Sequence, residues 1–143
     1  MSQPNDVEIR PAVPEDVSAI QELWDASGLG RAERDEMEAL MGSPTAAVLV
    51  APHDGAIVGT VVATFDGWRA YIYHLAVAEA DRTRGVGHRL LVEAERYLTS
   101  AGARYVYVTV HQDNTEGLAL VGATGYEPEG EIVLTKQLAR RPA

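Results

Sequence analysis

The stretch Asp81-Arg-Thr-Arg-Gly-Val-Gly-His-Arg-Leu-Leu91 follows an apolar run, Tyr71-Ile-Tyr-His-Leu-Ala-Val77, and the two together decide the fold. The apolar run is rich in β-branched and aromatic residues, which predicts a strand. From Val86 onward, apolar residues recur at helical spacing as far as Ala101, and Gly102 is a natural stop. The sequence therefore predicts a strand, a basic glycine-marked loop and an amphipathic helix in direct succession.

The two glycines at the start of this helix predict a binding site for an anion. Gly85 and Gly87 allow a ligand to approach the backbone, and the first N–H groups of a helix have no intrahelical partner. Those donors and the positive end of the helix dipole attract a phosphate or pyrophosphate, and Arg82, Arg84 and Arg89 stand beside them. A dinucleotide fingerprint would need a third glycine three residues later, where the sequence has leucine, and no P-loop Gly-Lys-Ser/Thr follows.

Length and composition limit the classes to which the protein can belong. A chain of 143 residues, with 46% hydrophobic and 23% charged residues, predicts one globular domain spanning 1–143. The net charge of −9 argues against a nucleic-acid partner and favours a cationic substrate such as an amine. The absence of cysteine excludes disulfides and a thiol nucleophile, and we expect no metal site. No apolar run is long enough to span a membrane, and residues 1–6 lack signal-peptide features, so we expect a cytoplasmic protein without a membrane partner.

The rest of the chain supplies further strands and helices. Apolar runs with β-type patterning predict strands at 7–10, 46–51, 57–65, 68–77, 105–111 and 131–137. Apolar stripes predict helices at 14–28, 32–41 and 115–124, the last with Asn114 as its N-cap. Turn signals make the three middle strands an antiparallel meander, and the crossover helix makes the strand at 105–111 parallel to the one at 68–77. We predict an α+β fold with a mixed, mostly antiparallel sheet and helices on both faces.

This combination resembles the GNAT superfamily of N-acetyltransferases, in particular its short stand-alone bacterial members. The superfamily's Arg/Gln-x-x-Gly-x-Gly/Ala signature is matched by Arg82, Gly85 and Gly87. The other matches are Leu75-Ala76-Val77 upstream and Asn114 and Gly125-Tyr126 downstream. The resemblance covers nearly the whole chain, and it implies acetyl-CoA as the cofactor and a parallel strand pair that splays apart at the cofactor site.

The resemblance also implies how the cofactor is held. Its pantetheine arm would lie between the splayed strands and pair with the backbone of Leu75 and Val77, as an added strand would. Its pyrophosphate would take the helix N-terminus. The residues assigned to cofactor contact in this way are Leu75, Ala76, Val77, Arg82, Arg84, Gly85, Val86, Gly87, His88 and Asn114.

Two catalytic side chains that many members of this family carry are absent. The tyrosine found seven residues after the asparagine, which protonates the leaving thiolate, is Val121 here. The glutamate found five residues before it, a base in members that acetylate protein N-termini, is Thr109. We take Tyr73 as the candidate acid, because an alternating strand puts residues 73 and 77 on one face. We take His111 as the candidate base, because histidine exchanges a proton readily near neutral pH.

Several alternatives stay open beside these assignments. Water alone could assist the thiolate, and His74 could reach the site if a β-bulge re-aimed it. The predicted function is transfer of an acetyl group from acetyl-CoA directly to a primary amine of a small molecule or peptide. The alternatives are a non-catalytic acyl-CoA-binding module, which Val121 favours, and a protein N-terminal amine as the acceptor, against which the missing side chains count. A homodimer is a further expectation.

Overall fold

The centre of the fold is a five-stranded mixed sheet, seen in a computed structural model that describes residues 7–139. Its strands stand in chain order and are β1 (Arg10–Pro11), β2 (Ala46–His53), β3 (Ala56–Phe65), β4 (Ala70–Val77) and β5 (Val106–Val108). Neighbouring strands are antiparallel except β4 and β5, which are parallel. The N-terminal stretch 1–6, on which the expectation about a signal peptide depends, lies outside the described residues.

In the described part of the chain, four helices pack around this sheet and confirm the predicted α+β class. They are α1 (Val17–Ala26), α2 (Arg34–Met41), α3 (Val86–Ala101) and α4 (Thr115–Ala123). Short 3₁₀ turns at Pro14–Asp16 and Glu79–Arg84 lead into α1 and α3. Within residues 7–139, no helix combines the length and apolar character that crossing a bilayer requires.

Two apolar cores lie on opposite faces of the sheet. On one face, α3 buries Leu90 and Leu98 against Ile72 of β4 and other apolar residues of β2 and β3. On the other face, α1 and α2 bury Trp24 and Met37 against apolar residues of β2, β3 and β4. Helices therefore cover both faces, as the amphipathic stripes predict.

A β-bulge in β4 reverses its side-chain alternation near the end of the strand. Thr60 pairs with Ala76 but Val62 pairs with Tyr73, so two residues of β4 stand opposite one residue of β3. Tyr73 packs in the core on the α1 face, whereas Val77 packs in the core on the α3 face. The prediction that residues 73 and 77 share a face was wrong, because the extra residue shifts the alternation by one.

Helix α1 and the connection after it hold the bulge in place. His74, in the bulge, has φ of 50°, a left-handed value that few non-glycine residues adopt. Its carbonyl accepts a hydrogen bond from Thr60 Oγ1 at 3.1 Å, and that oxygen accepts one from Trp24 Nε1 at 2.8 Å. His74 Nε2 lies 2.7 Å from the Gly30 carbonyl, and because a carbonyl only accepts, Nε2 carries the proton. Tertiary contacts on both sides of the bulge therefore support an unfavourable backbone conformation.

The parallel strands β4 and β5 part just beyond Ile72. Their last paired residues are Ile72 and Val108, and the Thr109 N–H donates to the Ile72 carbonyl at 3.1 Å. β4 then runs on to Val77, while β5 ends at Val108. The predicted splayed parallel pair is confirmed, although β5 is shorter than the predicted strand at 105–111.

Two further predicted strands differ in the structure. The first strand, predicted at 7–10, pairs only over Arg10–Pro11. The last, predicted at 131–137, is wrong for this structure, because these residues form no strand and large apolar side chains there are exposed, with Leu134 at 83%. A β-type sequence becomes a strand only where a neighbouring edge satisfies its backbone groups, which sequence pattern alone does not supply.

Candidate active site

A cleft of about 460 Å³ opens where the splayed end of β4 meets the first turns of α3 and α4. A fourth wall comes from Ser27 and Leu29, in the connection between α1 and α2. Most of the residues that the sequence assigned to cofactor contact lie together here. Those that line the cleft are Leu75, Ala76, Val77, Arg82, Gly85, Gly87, His88 and Asn114.

The N-terminus of α3 presents free backbone donors to this cleft. Gly85 takes the left-handed conformation with φ of 78°, and the Arg89 N–H makes the first bond back to it at 3.1 Å. The preceding N–H groups, of residues 86–88, have no backbone or side-chain acceptor in the described part of the chain. Gly87 is closely packed, since a Cβ there would lie 3.0 Å from Leu120 Cδ2 of α4. These features fit an anionic group bound at the helix start.

Arg82 is the arginine of the loop that reaches the cleft. Its Nε donates to the Val77 carbonyl at 3.2 Å, so this carbonyl points away from β3. Its guanidinium also lies 3.5 Å from a carboxylate oxygen of Glu116 on α4. Both groups of this ion pair are well exposed, so the pair is weak and leaves the guanidinium accessible to an anionic ligand.

The other two arginines of the loop point elsewhere. Arg84, assigned to cofactor contact, donates instead to Asp81 Oδ1 at 2.9 Å and contacts His53 Nδ1 at 3.3 Å. Arg89, which we expected beside the anion, pairs with Glu93 of the same helix at 3.1 Å. Nearby carboxylates decide the direction of these side chains, and neither arginine lines the cleft. Val86 contributes only backbone, because its side chain is fully buried in the α3 core.

Asn114 caps α4, as the sequence predicts. Its Oδ1 accepts a hydrogen bond from the Gly117 N–H at 2.9 Å. A Cβ at residue 117 would lie only 2.6 Å from Asn114 Nδ2, so glycine is required there. The Asn-x-x-Gly spacing was therefore a signal for Gly117, which we did not assign. No comparable pattern marks Ser27 or Leu29, which reach the cleft only through the fold.

The two candidate catalytic side chains lie apart from the cleft lining. Tyr73 is half-buried on the α1 face of β4, and this burial raises the pKa of its phenol. His111 lies in the loop after β5, and its Nδ1 accepts a hydrogen bond from the Asp113 N–H at 3.1 Å. The strand predicted at 105–111 would have included His111, but β5 ends at Val108.

The positions of the two absent family side chains are clear in the structure. Val121 is 5% exposed and packs in the α3 core, so its side chain faces away from solvent. Thr109 is exposed beyond the end of β5. Among residues 7–139, no group of three or more His, Asp or Glu side chains is arranged to hold a metal ion.

Comparison with known proteins agrees with this geometry. A model described as the acetyltransferase (GNAT) family matches residues 17–126. A transcriptional regulator from Bacillus halodurans C-125 is similar with a TM-score of 0.77 and 19% identity, over 92% of this chain and 99% of that one. An aminoglycoside acetyltransferase from an uncultured soil metagenomic sample, in complex with sisomicin, has a TM-score of 0.77 and 20% identity, over 95% of this chain and 98% of that one. AAC(6')-Iy, in complex with a bisubstrate analog of CoA and acetylneamine, has a TM-score of 0.76 and 19% identity, over 93% of this chain and 99% of that one. At such identities the likeness shows a shared fold.

Proposed function

Because this chain belongs to the acetyltransferase (GNAT) family, whose acetyl donor is acetyl-CoA, we propose that it transfers an acetyl group directly to a primary amine. The acceptor is a small molecule or a peptide. Similar folds that carry sisomicin or an acetylneamine analog show that this architecture accommodates amine acceptors in those proteins. The net charge of −9 favours a cationic acceptor as well.

One observation supports the proposal above all others. The gap between β4 and β5 and the N-terminus of α3 open into the same cleft. The splayed end of β4 leaves its outer edge open from residue 73 to Val77. The same cleft receives the free N–H groups at the start of α3, Arg82 and Asn114. An elongated ligand with an amide-bearing arm and a pyrophosphate fits this order of backbone edge followed by anion site.

Bound acetyl-CoA supplies an activated thioester, which an amine converts to an amide as the thiol leaves. The chain's own groups would position this reaction. Backbone donors of Leu75–Val77 would hold the arm and polarise the thioester carbonyl. Tyr73 stands where β4 leaves β5, and its hydroxyl is our proposed hydrogen-bond donor to the leaving sulfur. His111 remains a proposed base that would need to turn from its contact with Asp113.

The test of cofactor binding uses calorimetric titration with CoA. Gly87→Glu places a bulky anion at the helix start, and we expect it to weaken CoA binding at least tenfold. Gly122→Glu is the matched control, since residue 122 lies on α4 with open space around it. Unchanged affinity in a folded Gly87→Glu variant would remove the assignment of this cleft.

The test of catalysis is thiol release from acetyl-CoA in the presence of a panel of primary amines. Turnover that depends on the amine supports the enzyme. Tight CoA binding with no amine acetylated would instead favour a non-catalytic acyl-CoA-binding module. Protein N-terminal peptides belong in the panel, because that acceptor class is the alternative substrate.

We also propose a cytoplasmic homodimer. The outer edge of β5 is free of a strand partner among residues 7–139, and the segment 131–138, which begins near β5, exposes Ile132, Val133, Leu134 and Leu138. Exposed strand edges and apolar segments of this kind promote pairing with another chain. The cytoplasm is where an enzyme would meet acetyl-CoA.

A further inference from the structure

An aromatic platform with one arginine lies on the open half of the sheet, away from α3. Tyr71 and Tyr107 stand opposite each other on β4 and β5, and their rings stack with centroids 5.3 Å apart. The Arg69 guanidinium carbon lies 5.6 Å from the centroid of the Tyr107 ring and 4.7 Å from that of Trp68. Trp68 is 76% exposed. We call these four residues the Arg69 platform.

The platform lies on the face from which an acceptor would approach Tyr73. Ala70 and Ile72 of β4 point into the α3 core, so Tyr71 and Tyr73 point to the opposite face. The core beneath α1 and α2 contains no residue of β5, so these helices do not cover this half of the face, where Tyr71 and Tyr107 line a cleft together with residues 131–133. Tyr71 therefore connects Arg69 to Tyr73 along one continuous surface.

The Arg69 guanidinium is charged and held in place but has no carboxylate partner. Among residues 7–139 no carboxylate oxygen lies within 4.0 Å of it. Its pKa is raised above the usual value, chiefly by the nearby Tyr71 hydroxyl. Asp66 holds the turn, since its Oδ1 accepts from the Trp68 and Arg69 N–H groups at 2.8 Å each. With aromatic rings beside its faces, the guanidinium keeps its edge donors for a ligand.

We propose that Arg69 binds a carboxylate of the acceptor, so that the preferred substrate carries both a primary amine and a carboxylate. This inference rests on the proposed function. A guanidinium fork matches the two oxygens of a carboxylate. A single arginine suits a singly charged carboxylate better than a doubly charged phosphate, because Glu131 already contributes negative charge nearby.

The geometry also sets the distance between the amine and the carboxylate of such an acceptor. Arg69 precedes Tyr73 by four positions, which is roughly 13 Å of extended strand, and the arginine side chain shortens the span. The amine and the carboxylate would therefore lie on the order of 10 Å apart, which is the length of an extended tripeptide at ~3.5 Å per residue. An extended peptide with a free C-terminus has this spacing.

The test compares two tripeptides that differ only in the carboxylate. Ala-Ala-Val with a free C-terminus and its C-terminal amide are titrated calorimetrically into the protein saturated with CoA. We expect the acid to bind at least about tenfold more tightly than the amide, and Arg69→Gln to remove the difference. Arg96→Gln is the matched control, because Arg96 lies on α3, away from the platform, and its side chain is 66% exposed. The control should retain the preference.

Two further variants separate binding from a structural role. Arg69→Lys keeps the charge but loses the paired N–H donors of the guanidinium. We therefore expect an intermediate preference for the acid over the amide. Glu131→Gln removes the nearby negative charge and should tighten binding of the acid a few-fold. Equal affinity for the acid and the amide, including no measurable binding of either, would overturn the proposal, as would a preference that survives Arg69→Gln. Amine-dependent thiol release is measured separately, so failure of this inference does not imply failure of the acetyltransferase function.

Discussion

Tyr73 is the single side chain on which the proposed proton transfer depends most. Burial raises the pKa of its phenol, so the hydroxyl keeps its proton at neutral pH and is able to donate it. General acid assistance typically contributes ~10²–10⁴-fold. We therefore expect Tyr73→Phe to lower kcat at least about tenfold and to leave CoA affinity nearly unchanged, as measured by steady-state kinetics and calorimetric titration.

The control for this prediction is Tyr105→Phe. Tyr105 is 81% exposed and lies before β5, so removal of its hydroxyl should affect neither parameter. If kcat of Tyr73→Phe stays within about twofold of the wild type, the donor is water or another group. A change confined to the acceptor KM would place Tyr73 in the substrate wall instead.

At the scale of one element, the bulge of β4 depends on a buried hydroxyl. Thr60 is fully buried and joins Trp24 of α1 to the His74 carbonyl. Thr60→Val keeps the shape but leaves the indole N–H and the carbonyl unpaired, which costs ~1–3 kcal/mol. We expect that loss in urea unfolding. Thr60→Ser keeps the hydroxyl and should cost less, and a valine variant as stable as the wild type would show that the bulge does not need this network.

The start of α1 provides a prediction about pH. Asp16 accepts hydrogen bonds from Arg10 at 2.7 and 3.1 Å and from the Val13 N–H at 2.8 Å. These contacts, the Arg10 hydrogen bond first, lower the pKa of Asp16 below 3.8. A lowered carboxyl pKa stabilises the fold above the unfolded-state pKa, and this stability is lost as the pH falls through the folded-state pKa.

Asp16→Asn tests this linkage. At pH 7 the variant should be less stable by about 1.5–3 kcal/mol, because it loses hydrogen bonds that involve a charged group. Below pH 3.8 the difference from the wild type should narrow as Asp16 becomes protonated in the folded state. Denaturant unfolding at several pH values measures both. A difference that stays constant down to pH 2 would contradict the assigned role of the carboxylate.

At the scale of the whole molecule, the C-terminal segment bears on assembly. Ile132 and Leu134, in the segment that begins near β5, are 78% and 83% exposed. If this segment contacts a second copy, sedimentation should give twice the chain mass of 15.4 kDa, and Leu134→Asp should shift the protein toward monomer. Val13→Asp, at an exposed apolar residue elsewhere, is the control. A monomeric wild type, or a dimer unaffected by Leu134→Asp, would contradict the proposal.

The sequence by itself determined the features that depend on residues only a few positions apart in the chain. The strand, loop and helix around Gly85 were predictable because β-branched runs, glycines and helical stripes act within a few residues. The N-cap at Asn114 was predictable for the same reason. Together with the family resemblance, these local patterns identified most of the residues that line the cleft before the fold was known.

Only the tertiary structure decided where several side chains point. The face of Tyr73 depends on a bulge that Trp24 and Thr60 hold from elsewhere in the fold. The direction of Arg84 depends partly on His53, at the end of β2. Residues 131–137 have a strand-like sequence but form no strand, because pairing depends on the rest of the sheet and not on the segment's own pattern. In each case the deciding partner is distant in sequence, so no local pattern records it.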